Sequence, residues 1–424
     1  MQKGHYIFSG HDTVELARQY ATPLYVISED IIRNNIRNIK SAFEKEHIDY
    51  AVNYAGKAFL NTAMCKIIKD EGICVDTVSK GEMYTALKAG IDPQDITLHG
   101  SNKSEEELCY ALENGIGCIV IDSMYEISVL NELCEKKSRK QNVHIRVTPN
   151  IEAHTHEYVQ TGRIDSKFGI PIGMALRAAQ KVSQTRYLKL TGIHCHIGSQ
   201  IFAQKPFIIA ANNMLELMSN IEALGLDVHE LNLGGGFGVN NMTDEELFSV
   251  KDYASALKEL LEVKCPEIDI PVPKIIVEPG RYIIDNAGIT LYTVGTIKEI
   301  PYMRKYVSVD GGLFENPRPG MYDAVYRACV ANRFEDEPNE LVTISGRCCE
   351  TDTLINDILL PKCYPGDIVA VINTGAYNYS MAGNYNRLPR PAIVLLKGDK
   401  SELMVRRETE EDLVRCDEVP SWLK

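Results

Sequence analysis

The sequence predicts an α/β fold: a (β/α)8 TIM barrel with a second, all-β domain. Two observations carry this prediction. From residue 53 to residue 280, short apolar runs that end in glycine, asparagine, aspartate or serine alternate with amphipathic helical segments. The last third of the chain instead contains strand-like runs separated by turns, with little helical periodicity.

Eight strand–helix units can be counted in the first of these regions. Their apolar runs are AVNYAGK (51–57), ICVDTVS (73–79), DITLHGS (95–101), GCIVIDS (117–123), HIRVTPN (144–150), LTGIHCHIGS (190–199), ELNLGGGFG (230–238) and KIIVEPG (274–280). Eight such units over roughly 250 residues are typical of a TIM barrel. The alternative, a doubly wound open sheet, needs fewer strands and usually opens with a glycine-rich turn, which here follows the seventh run.

The C-terminal third contains five further strand-like runs. They are ITLYTVGTI (289–297), YVSVDGG (306–312), LVTISGR (341–347), DIVAVINTGAY (367–377) and AIVLLKG (392–398). One more run, TPLYVIS (22–28), either pairs with this all-β domain or leads into the barrel. We place the barrel domain at residues 26–285 and the second domain, a β-sandwich or barrel-like unit, at residues 1–25 and 286–424.

Composition and charge narrow the class of protein. The 424 residues are 45% hydrophobic and 24% charged, which is ordinary for a globular protein. The net charge of −13 argues against a nucleic-acid partner, because such proteins usually carry basic patches. We find no apolar run that predicts a signal peptide or a membrane helix. Twelve scattered cysteines without a CxxC pair predict reduced thiols, no zinc ribbon and a cytoplasmic protein.

Most chemically suggestive residues follow the predicted barrel strands, at the mouth where TIM-barrel enzymes place their active sites. Lys57 ends the first run, and it is either a Schiff-base lysine or a surface lysine. Gly234, Gly235 and Gly236 end the seventh run, and they form either an anion-binding nest of backbone N–H groups or a tight turn. The order of the runs places both features at the same end of the barrel.

The motif EPGR ends the eighth run and offers two charged side chains. Glu278 could face a pyridine nitrogen and keep it protonated, which would make the ring a strong electron sink. Arg281 could bind an anion. The alternative is an ordinary Glu–Arg pair on the surface.

The motif HCHIGSQ ends the sixth run. Its two histidines share one face of a strand, so a metal-binding pair is an alternative. The first run ends in a lysine, however, and no further set of metal ligands is apparent, so we expect no metal. We therefore favour His196 as a ring-stacking residue, Ser199 as a phosphate contact and His194 as a packing residue.

Three motifs in the C-terminal third carry the remaining candidates. RCCETD offers Cys349 as a proton donor and Glu350 as a partner for a substrate ammonium; a buried cysteine and a solvated acid are the alternatives. NPRPGMY offers Arg318 and Tyr322 as a carboxylate-binding pair. NTGAYNYS offers Tyr377.

These motifs together, in this order, resemble the diaminopimelate decarboxylases, a family of alanine-racemase-like (fold-type III) enzymes that use pyridoxal 5'-phosphate. The motifs are YAGKA, VDTVSKGE, HGSNKS, TGRIDSKFGI, HCHIGSQ, LGGGFG, EPGR, NPRPGMY, CCE and GAYNYS. The resemblance implies that the N-terminal segment joins the β domain. It also implies a homodimer whose active sites lie at the subunit interface and which binds a small amino-acid substrate.

The resemblance further implies a role for each candidate. Three are catalytic: Lys57 as the Schiff-base lysine, His196 as the ring-stacking histidine, and Cys349, which the opposite subunit contributes. Glu278 matches the partner of the pyridine nitrogen. The phosphate contacts are Ser199, Gly234, Gly235, Gly236, Gly280 and Tyr377. The substrate contacts are Arg281, Arg318, Tyr322 and Glu350; we also count Arg281 as a cofactor contact and Tyr377 as a substrate contact.

The implied reaction is decarboxylation of meso-diaminopimelate to L-lysine, the last step of lysine biosynthesis. A distal group that carries both a carboxylate and an ammonium suits arginine side chains beside Glu350. One departure concerns the stretch from Cys349 to Asp352, which is one residue shorter than the family's Cys-Glu-Ser-Gly-Asp and could shift specificity.

Alternatives within the same fold are decarboxylases that act on carboxynorspermidine or ornithine. A non-catalytic cofactor-binding relative is disfavoured because Lys57 and Cys349 are both present. The alternative from another class is a metal-dependent barrel hydrolase that uses His194 and His196.

Overall fold

A computed structural model describes residues 4–149, 166–239 and 248–423 of the chain. The described residues form two compact units, a first of residues 33–149, 166–239 and 248–283 and a second of residues 4–32 and 284–423. Within these ranges, no helix has both the length and the apolar character needed to cross a membrane.

The first unit contains a closed barrel of eight parallel strands. In chain order these are Tyr50–Ala55, Cys74–Thr77, Ile96–Leu98, Cys118–Ile121, Gln141–Thr148, Leu188–His194, Glu230–Asn232 and Lys274–Val277. Each strand pairs with the next, and the eighth closes on the first with Ile276 opposite Ala51. The strands coincide with the predicted runs, so the TIM barrel is confirmed and the open sheet was the wrong alternative. A short strand, Ile170–Pro171, adds to the fifth.

Helices follow the barrel strands, as the amphipathic segments predict. The described helices are Thr13–Tyr20, Glu29–Lys45, Thr62–Asp70, Lys80–Ala89, Glu105–Asn114, Met124–Lys136, Ile172–Ser183, Lys205–Glu222, Val250–Glu267, Arg281–Ile284, Arg318–Tyr322 and Glu410–Val414. The sequence encodes several of their ends. Ser79, Ser104 and Ser123 cap helix N-termini by accepting a backbone N–H three residues ahead. Gly90 and Gly115 end helices in the left-handed conformation.

The second unit is built mainly from strands. They are Ile7–Phe8, His11–Asp12, Leu24–Ser28, Gly288–Ile300, Arg304–Val309, Ala328–Val330, Glu340–Ser345, Thr353–Leu360, Ile368–Ile372, Ala392–Lys397 and Lys400–Val405. Leu24–Ser28 runs antiparallel to Gly288–Ile300 and parallel to Ala392–Lys397. Its Leu24 and Val26 are fully buried in an apolar cluster of this unit. The N-terminal segment therefore joins the β domain, as the resemblance implies.

Some predictions fall partly outside the description. Of the motif TGRIDSKFGI, only residues 166–170 are described, and residue 150 of the run HIRVTPN also lies outside the described ranges. The domain boundaries at residues 25/26 and 285/286 remain a prediction.

A buried ion pair joins the loop after the third barrel strand to the helix after the fourth. Nζ of Lys103 lies 2.6 Å from Oε1 of Glu126 and donates to the carbonyl oxygens of Gly100 at 2.7 Å and Val120 at 2.8 Å. The side chain of Lys103 is only 2% exposed. Since a buried charge is tolerated only when it is paired and hydrogen-bonded, this lysine contributes to stability through all three contacts.

We expect Lys103→Met to lower the free energy of unfolding by about 3–5 kcal/mol, because it leaves the Glu126 carboxylate buried without its partner. Urea denaturation followed by circular dichroism measures the change. Lys80→Met is the matched control, since the Lys80–Glu106 pair is on the surface and its loss should leave the transition unchanged. Equal transitions for the two variants would contradict the prediction.

Candidate active site

Lys57 lies just beyond the first barrel strand. The strand Tyr50–Ala55 continues into a short 3-10 turn, Gly56–Ala58, in which Lys57 is exposed at the carboxyl end of the barrel. A Cβ added at Gly56 would lie 2.8 Å from the carbonyl oxygen of Asp76, so the turn packs on the second strand in a way that only glycine permits. The turn therefore fixes the position of Lys57 and leaves its amine accessible.

The turn around Lys57 packs directly against the end of the eighth strand. The amide of Ala55 donates to the carbonyl oxygen of Pro279 at 3.3 Å. A Cβ added at Gly280 would lie 3.0 Å from Cβ of Ala55 and 3.1 Å from Cβ of Ala58. The absence of a side chain at Gly280 thus allows the EPGR motif to approach the lysine turn.

The glycine turn packs on the other side of the EPGR motif. The amide of Glu278 donates to the carbonyl oxygen of Gly234 at 2.8 Å. Gly234 has a φ of 66° and Gly236 a φ of 110°, which are conformations that favour glycine. A Cβ at Gly235 would clash with the carbonyl oxygen of Glu278, and one at Gly236 would clash with the backbone just before Ser199. The predicted phosphate contacts of the barrel are therefore neighbours at its mouth.

Glu278 is a buried carboxylate with partners on three other strand ends. Nδ2 of Asn232 donates to its Oε1 at 2.6 Å, and Nε2 of His194 lies 3.0 Å from its Oε2. Nε2 of His99 lies 3.1 Å from Oε1. A carboxylate has about four lone-pair positions, so these partners leave room for one further donor. Glu278 is not part of a surface Glu–Arg pair, which was the alternative interpretation.

The imidazole of His99 lies between two buried carboxylates, since its Nε2 is also 3.5 Å from Oδ1 of Asp76. Burial disfavours a charged imidazole, but Glu278 and Asp76 raise the pKa of His99 to about 9. Burial and the charge of Glu278 raise the pKa of Asp76 to about 6. Burial opposes ionisation of Glu278 too, yet His194 and His99 hold the pKa of Glu278 well below its usual value. At pH 7, Glu278 is a carboxylate and His99 a cation.

His194 is a hydrogen-bond donor to Glu278 and not merely a packing residue, which corrects the prediction. Burial lowers the pKa of His194 to about 4, so its ring is neutral at pH 7. Nε2 must then carry the hydrogen that reaches Glu278. The prediction was wrong because the strand directs His194 toward a buried acid on the eighth strand, and the sequence does not reveal that contact.

His196 is half-buried beside the glycine turn, and its Nδ1 accepts the amide hydrogen of Gly235 at 3.2 Å. Burial and the positive charges of Lys57 and Arg146 lower the pKa of His196 well below its usual value. The ring is therefore neutral, with its hydrogen on Nε2. The hydrogen bond from Gly235 fixes the orientation of its plane.

The structure groups other potential metal ligands than the histidine pair considered from the sequence. In the described part of the chain, the donor atoms of His99, His194 and Glu278 lie within 4.8 Å of one another, a grouping that could hold a metal ion. This is not the His194 and His196 pair considered for a hydrolase, because Nδ1 of His196 accepts from Gly235 instead. The three grouped residues are also engaged with one another.

The barrel mouth fits a phosphorylated pyridine cofactor. An ionised, buried Glu278 with one remaining lone-pair position suits a protonated pyridine nitrogen. The neutral ring of His196 suits stacking on a flat ring, and the glycine turn suits a phosphate. Lys57 supplies an accessible primary amine.

The second unit brings three predicted residues together. The guanidinium carbon of Arg318 lies 5.1 Å from the ring centroid of Tyr322 and 5.6 Å from that of Tyr377, within the range of cation–π contacts. Tyr377 has a φ of 63°, an uncommon conformation for a non-glycine residue and one often found at functional sites. This group can present a guanidinium and phenolic hydroxyls to an anion.

Cys349 and Glu350 lie in an exposed loop of the second unit. The hydroxyl of Tyr385 donates to Oε1 of Glu350 at 2.7 Å. The amide of Cys349 donates to Oδ1 of Asn386 at 2.8 Å. The loop thus presents a thiol and a carboxylate side by side, both held by the segment around residue 385.

Asp352 closes the shortened loop after Glu350. It adopts a left-handed conformation with a φ of 44° and is buried. Its carboxylate accepts the amide hydrogens of Cys348 at 2.5 Å and Leu313 at 2.6 Å. The side chain of Asp352 therefore anchors the loop through two backbone amides.

Sequence analysis missed four polar residues around the site: Asp76, His99, Arg146 and Asn232. Each stands at or near the end of an apolar run, where strand alternation directs every second side chain into the barrel. The guanidinium carbon of Arg146 lies 4.6 Å from the ring centroid of Phe168. The position of these four residues at the ends of apolar runs could have marked them as site residues. It does not show, however, that they gather around Glu278.

A barrel whose strand ends assemble a lysine, a buried acid and a glycine turn is characteristic of enzymes that bind phosphorylated cofactors. Comparison with known proteins agrees. The family model described as "Pyridoxal-dependent decarboxylase, pyridoxal binding domain" matches residues 29–285. A diaminopimelate decarboxylase of Bacillus subtilis (strain 168) is 44% identical over 420 residues, 98% of this chain and 96% of that protein.

Solved structures give the same result. The diaminopimelate decarboxylase of M. jannaschii in complex with L-lysine superposes with a TM-score of 0.93 at 33% identity, covering 100% of this chain and 98% of that one. The enzyme of Helicobacter pylori complexed with L-lysine gives a TM-score of 0.88 at 32% identity, with 95% and 98% covered.

The chain belongs to the pyridoxal-dependent decarboxylase family. It is a decarboxylase, and its cofactor is pyridoxal phosphate. The predicted family, fold class and cofactor are thereby confirmed. The roles of the individual site residues remain predictions.

We expect Gly235→Ala to weaken cofactor binding about tenfold or more, which corresponds to about 1.4 kcal/mol. The added methyl would clash with the carbonyl oxygen of Glu278 and push the glycine turn away from the acid. Dialysis against graded cofactor concentrations with visible absorbance measures the dissociation constant. Gly173→Ala is the control, since its Cβ would meet no atom within 4 Å. Equal affinity in both variants would rule out a cofactor role for the turn.

Proposed function

We propose that this protein decarboxylates meso-diaminopimelate to L-lysine with pyridoxal 5'-phosphate, the last step of lysine biosynthesis. The observation that carries the proposal is the ionised Glu278 packed between the glycine turn and the lysine turn. The proposal is supported by full-length relatives, among them the diaminopimelate decarboxylase of Bacillus subtilis.

The cofactor would be held by one lysine, one acid, one histidine and a set of phosphate contacts. Lys57 would carry it covalently in the resting enzyme, Glu278 would accept the hydrogen of the pyridine nitrogen, and His196 would cover one face of the ring. The remaining contacts, mostly to phosphate, would come from Ser199, Gly234, Gly235, Gly236, Gly280, Arg281 and Tyr377. When bound, the cofactor withdraws electrons from the substrate bond that breaks as carbon dioxide leaves.

The chain's own residues would orient the cofactor and the substrate and supply the proton that replaces carbon dioxide. Glu278 would place a negative charge near the ring nitrogen, and burial makes the interaction of such a charge stronger than it would be in water. His196 would cover one face of the ring and leave the other open to the substrate's carboxylate. The thiol of Cys349 gives a proton to the α-carbon after carbon dioxide departs, and its thiolate is then reprotonated by solvent. The amine of Lys57 is the second candidate for this proton donor.

The choice of substrate would depend on the charged groups at the end of the substrate that is distal to the bond that breaks. Arg318 and Tyr322, together with Arg281, would bind the distal carboxylate, and Glu350 would bind the distal ammonium. Tyr377 contacts Arg318 and would help to position it. An ornithine or carboxynorspermidine decarboxylase is the alternative, but ornithine has no distal carboxylate for these arginines. The shortened loop after Glu350 is held by Asp352 and keeps Cys349 and Glu350 exposed.

We further propose a cytoplasmic homodimer with shared active sites. A catalytic thiol needs shielding from bulk solvent, and the exposure of Cys349 and Glu350 in a single chain supports their use by a second subunit. All twelve cysteines are unpaired, as in proteins of a reducing compartment. The barrel domain is proposed at residues 26–285 and the second domain at residues 1–25 and 286–424.

Borohydride reduction tests the covalent role of Lys57. We expect reduction of the purified holoenzyme to fix the cofactor on the peptide that contains Lys57, as seen by mass spectrometry. Lys57→Ala should bind cofactor without becoming labelled. The control Lys69→Ala, which removes an exposed lysine outside the barrel mouth, should be labelled like the wild type. A label on another lysine would reject the proposed site.

Substrate preference tests the role of Arg318. We expect Arg318→Met to lower kcat/KM for meso-diaminopimelate roughly ten- to hundredfold, because one charge-assisted contact of about 1.5–3 kcal/mol is lost. Activity toward ornithine should be low in the wild type and nearly the same in the variant. Arg304→Met is the control, since Arg304 also lies over a tyrosine ring in the second unit. Faster release of carbon dioxide from ornithine than from meso-diaminopimelate by the wild type would overturn the substrate assignment.

A further inference from the structure

The buried network around Glu278 contains a charge that the proposed mechanism does not use. His99 lies just after the third barrel strand, with its Nε2 3.1 Å from Glu278 and 3.5 Å from Asp76. All three side chains are less than a tenth exposed. His99 is therefore placed to bridge two carboxylates that solvent hardly reaches.

Two buried carboxylates that lie 3.1 Å and 3.5 Å from one nitrogen repel each other unless a positive charge lies beside them. Water screens charges strongly, whereas a buried pair of like charges normally forces one group to keep its proton. Nδ2 of Asn53 donates to Asp76 at 3.0 Å, and Asn232 donates to Glu278, but both amides are neutral. Within residues 4–149, 166–239 and 248–423, the cation that lies within 3.5 Å of both acids is the imidazolium of His99.

Other titratable groups also face the network, and Arg146 among them interacts electrostatically with Glu278. They are Lys57 after the first strand, Arg146 on the fifth, and His194, Cys195 and His196 on or after the sixth. His194 is neutral at pH 7, because burial lowers its pKa to about 4. Arg146 stacks on Phe168 and has Asp122 4.0 Å from its Nε.

We propose that His99 is a positioning residue whose positive charge keeps Glu278 ionised and directed at the pyridine nitrogen of the cofactor. The inference rests on the proposed function, because it assumes that Glu278 faces that nitrogen. Asp76 approaches the same Nε2 of His99, at 3.5 Å, and adds a second negative charge beside the imidazolium. Through Glu278, His99 and Asp76 would thus influence the protonation state of the pyridine nitrogen without contacting the cofactor themselves.

The decisive variant is His99→Gln, which removes the charge and keeps a hydrogen-bond donor. Without the cation, Asp76 and Glu278 share a proton, and Glu278 spends part of its time as a neutral acid that cannot hold the pyridine proton. The holoenzyme, loaded with cofactor labelled with 15N in the ring, is titrated with pH and followed by solid-state NMR. We expect the midpoint for loss of the pyridine proton to fall by about one pH unit or more.

Charge compensation separates this effect from simple damage to the fold. Asp76→Asn in the His99→Gln background removes the second carboxylate, so Glu278 should ionise again and the midpoint should return toward the wild-type value. His144→Gln is the matched control, because His144 is another buried barrel histidine paired with an acid, Glu230 at 2.9 Å. It should leave the midpoint unchanged. If His99→Gln fails to fold, His99→Asn provides a second neutral replacement.

The outcomes are distinguishable. A wild-type midpoint that is retained in His99→Gln, or a double variant shifted as far as the single one, would overturn the inference about His99 alone. A wild type that binds no cofactor, or holds it with a neutral ring nitrogen across the pH range, would overturn the proposed role of Glu278 itself. A shift in His99→Gln that the double variant reverses, with no shift in His144→Gln, supports the proposal.

Discussion

The site depends on keeping one carboxylate ionised where water hardly reaches it. Burial favours the neutral form of Glu278, and an isolated carboxylate there would take up a proton. Three partners from three different strand ends prevent this: the amide of Asn232 and the imidazoles of His194 and His99. Because the third, sixth and seventh strand ends must all reach the eighth, only a closed barrel in correct register supplies the set. The chemistry of the acid is thus a property of the whole barrel.

Backbone proximity is the second requirement. Gly56, Gly235 and Gly280 stand where a Cβ would touch a neighbouring strand end, so the turns that carry Lys57 and Glu278 approach closer than side chains allow. Amide hydrogen bonds from Ala55 to Pro279 and from Glu278 to Gly234 then fix the spacing of these turns. Backbone atoms are less mobile than side chains, so the site is held largely by its least flexible parts.

Much of this could be predicted from the sequence, and the limits are physical. The alternation of apolar runs and amphipathic helices predicted the barrel. The motifs and their order resembled a known family, and that resemblance predicted the cofactor. Side-chain contacts across the barrel were out of reach, because register decides which residues on different strands meet. His194 looked like a packing residue for this reason, and His99 was passed over within HGSNKS. The left-handed conformation of Asp352 could not be predicted either, because the sequence alone does not show that its carboxylate binds two backbone amides.

The N-terminal strand has a consequence for synthesis of the chain. Leu24–Ser28 lies between Gly288–Ile300 and Ala392–Lys397, so both of its neighbours are made only after the entire barrel. At ribosomal rates of roughly 5–20 residues per second, this apolar strand waits on the order of tens of seconds without a partner on either edge. During that time it can pair with the same segment of another nascent chain or be covered by a chaperone. Both edges of these five residues therefore stay open until the second unit is translated.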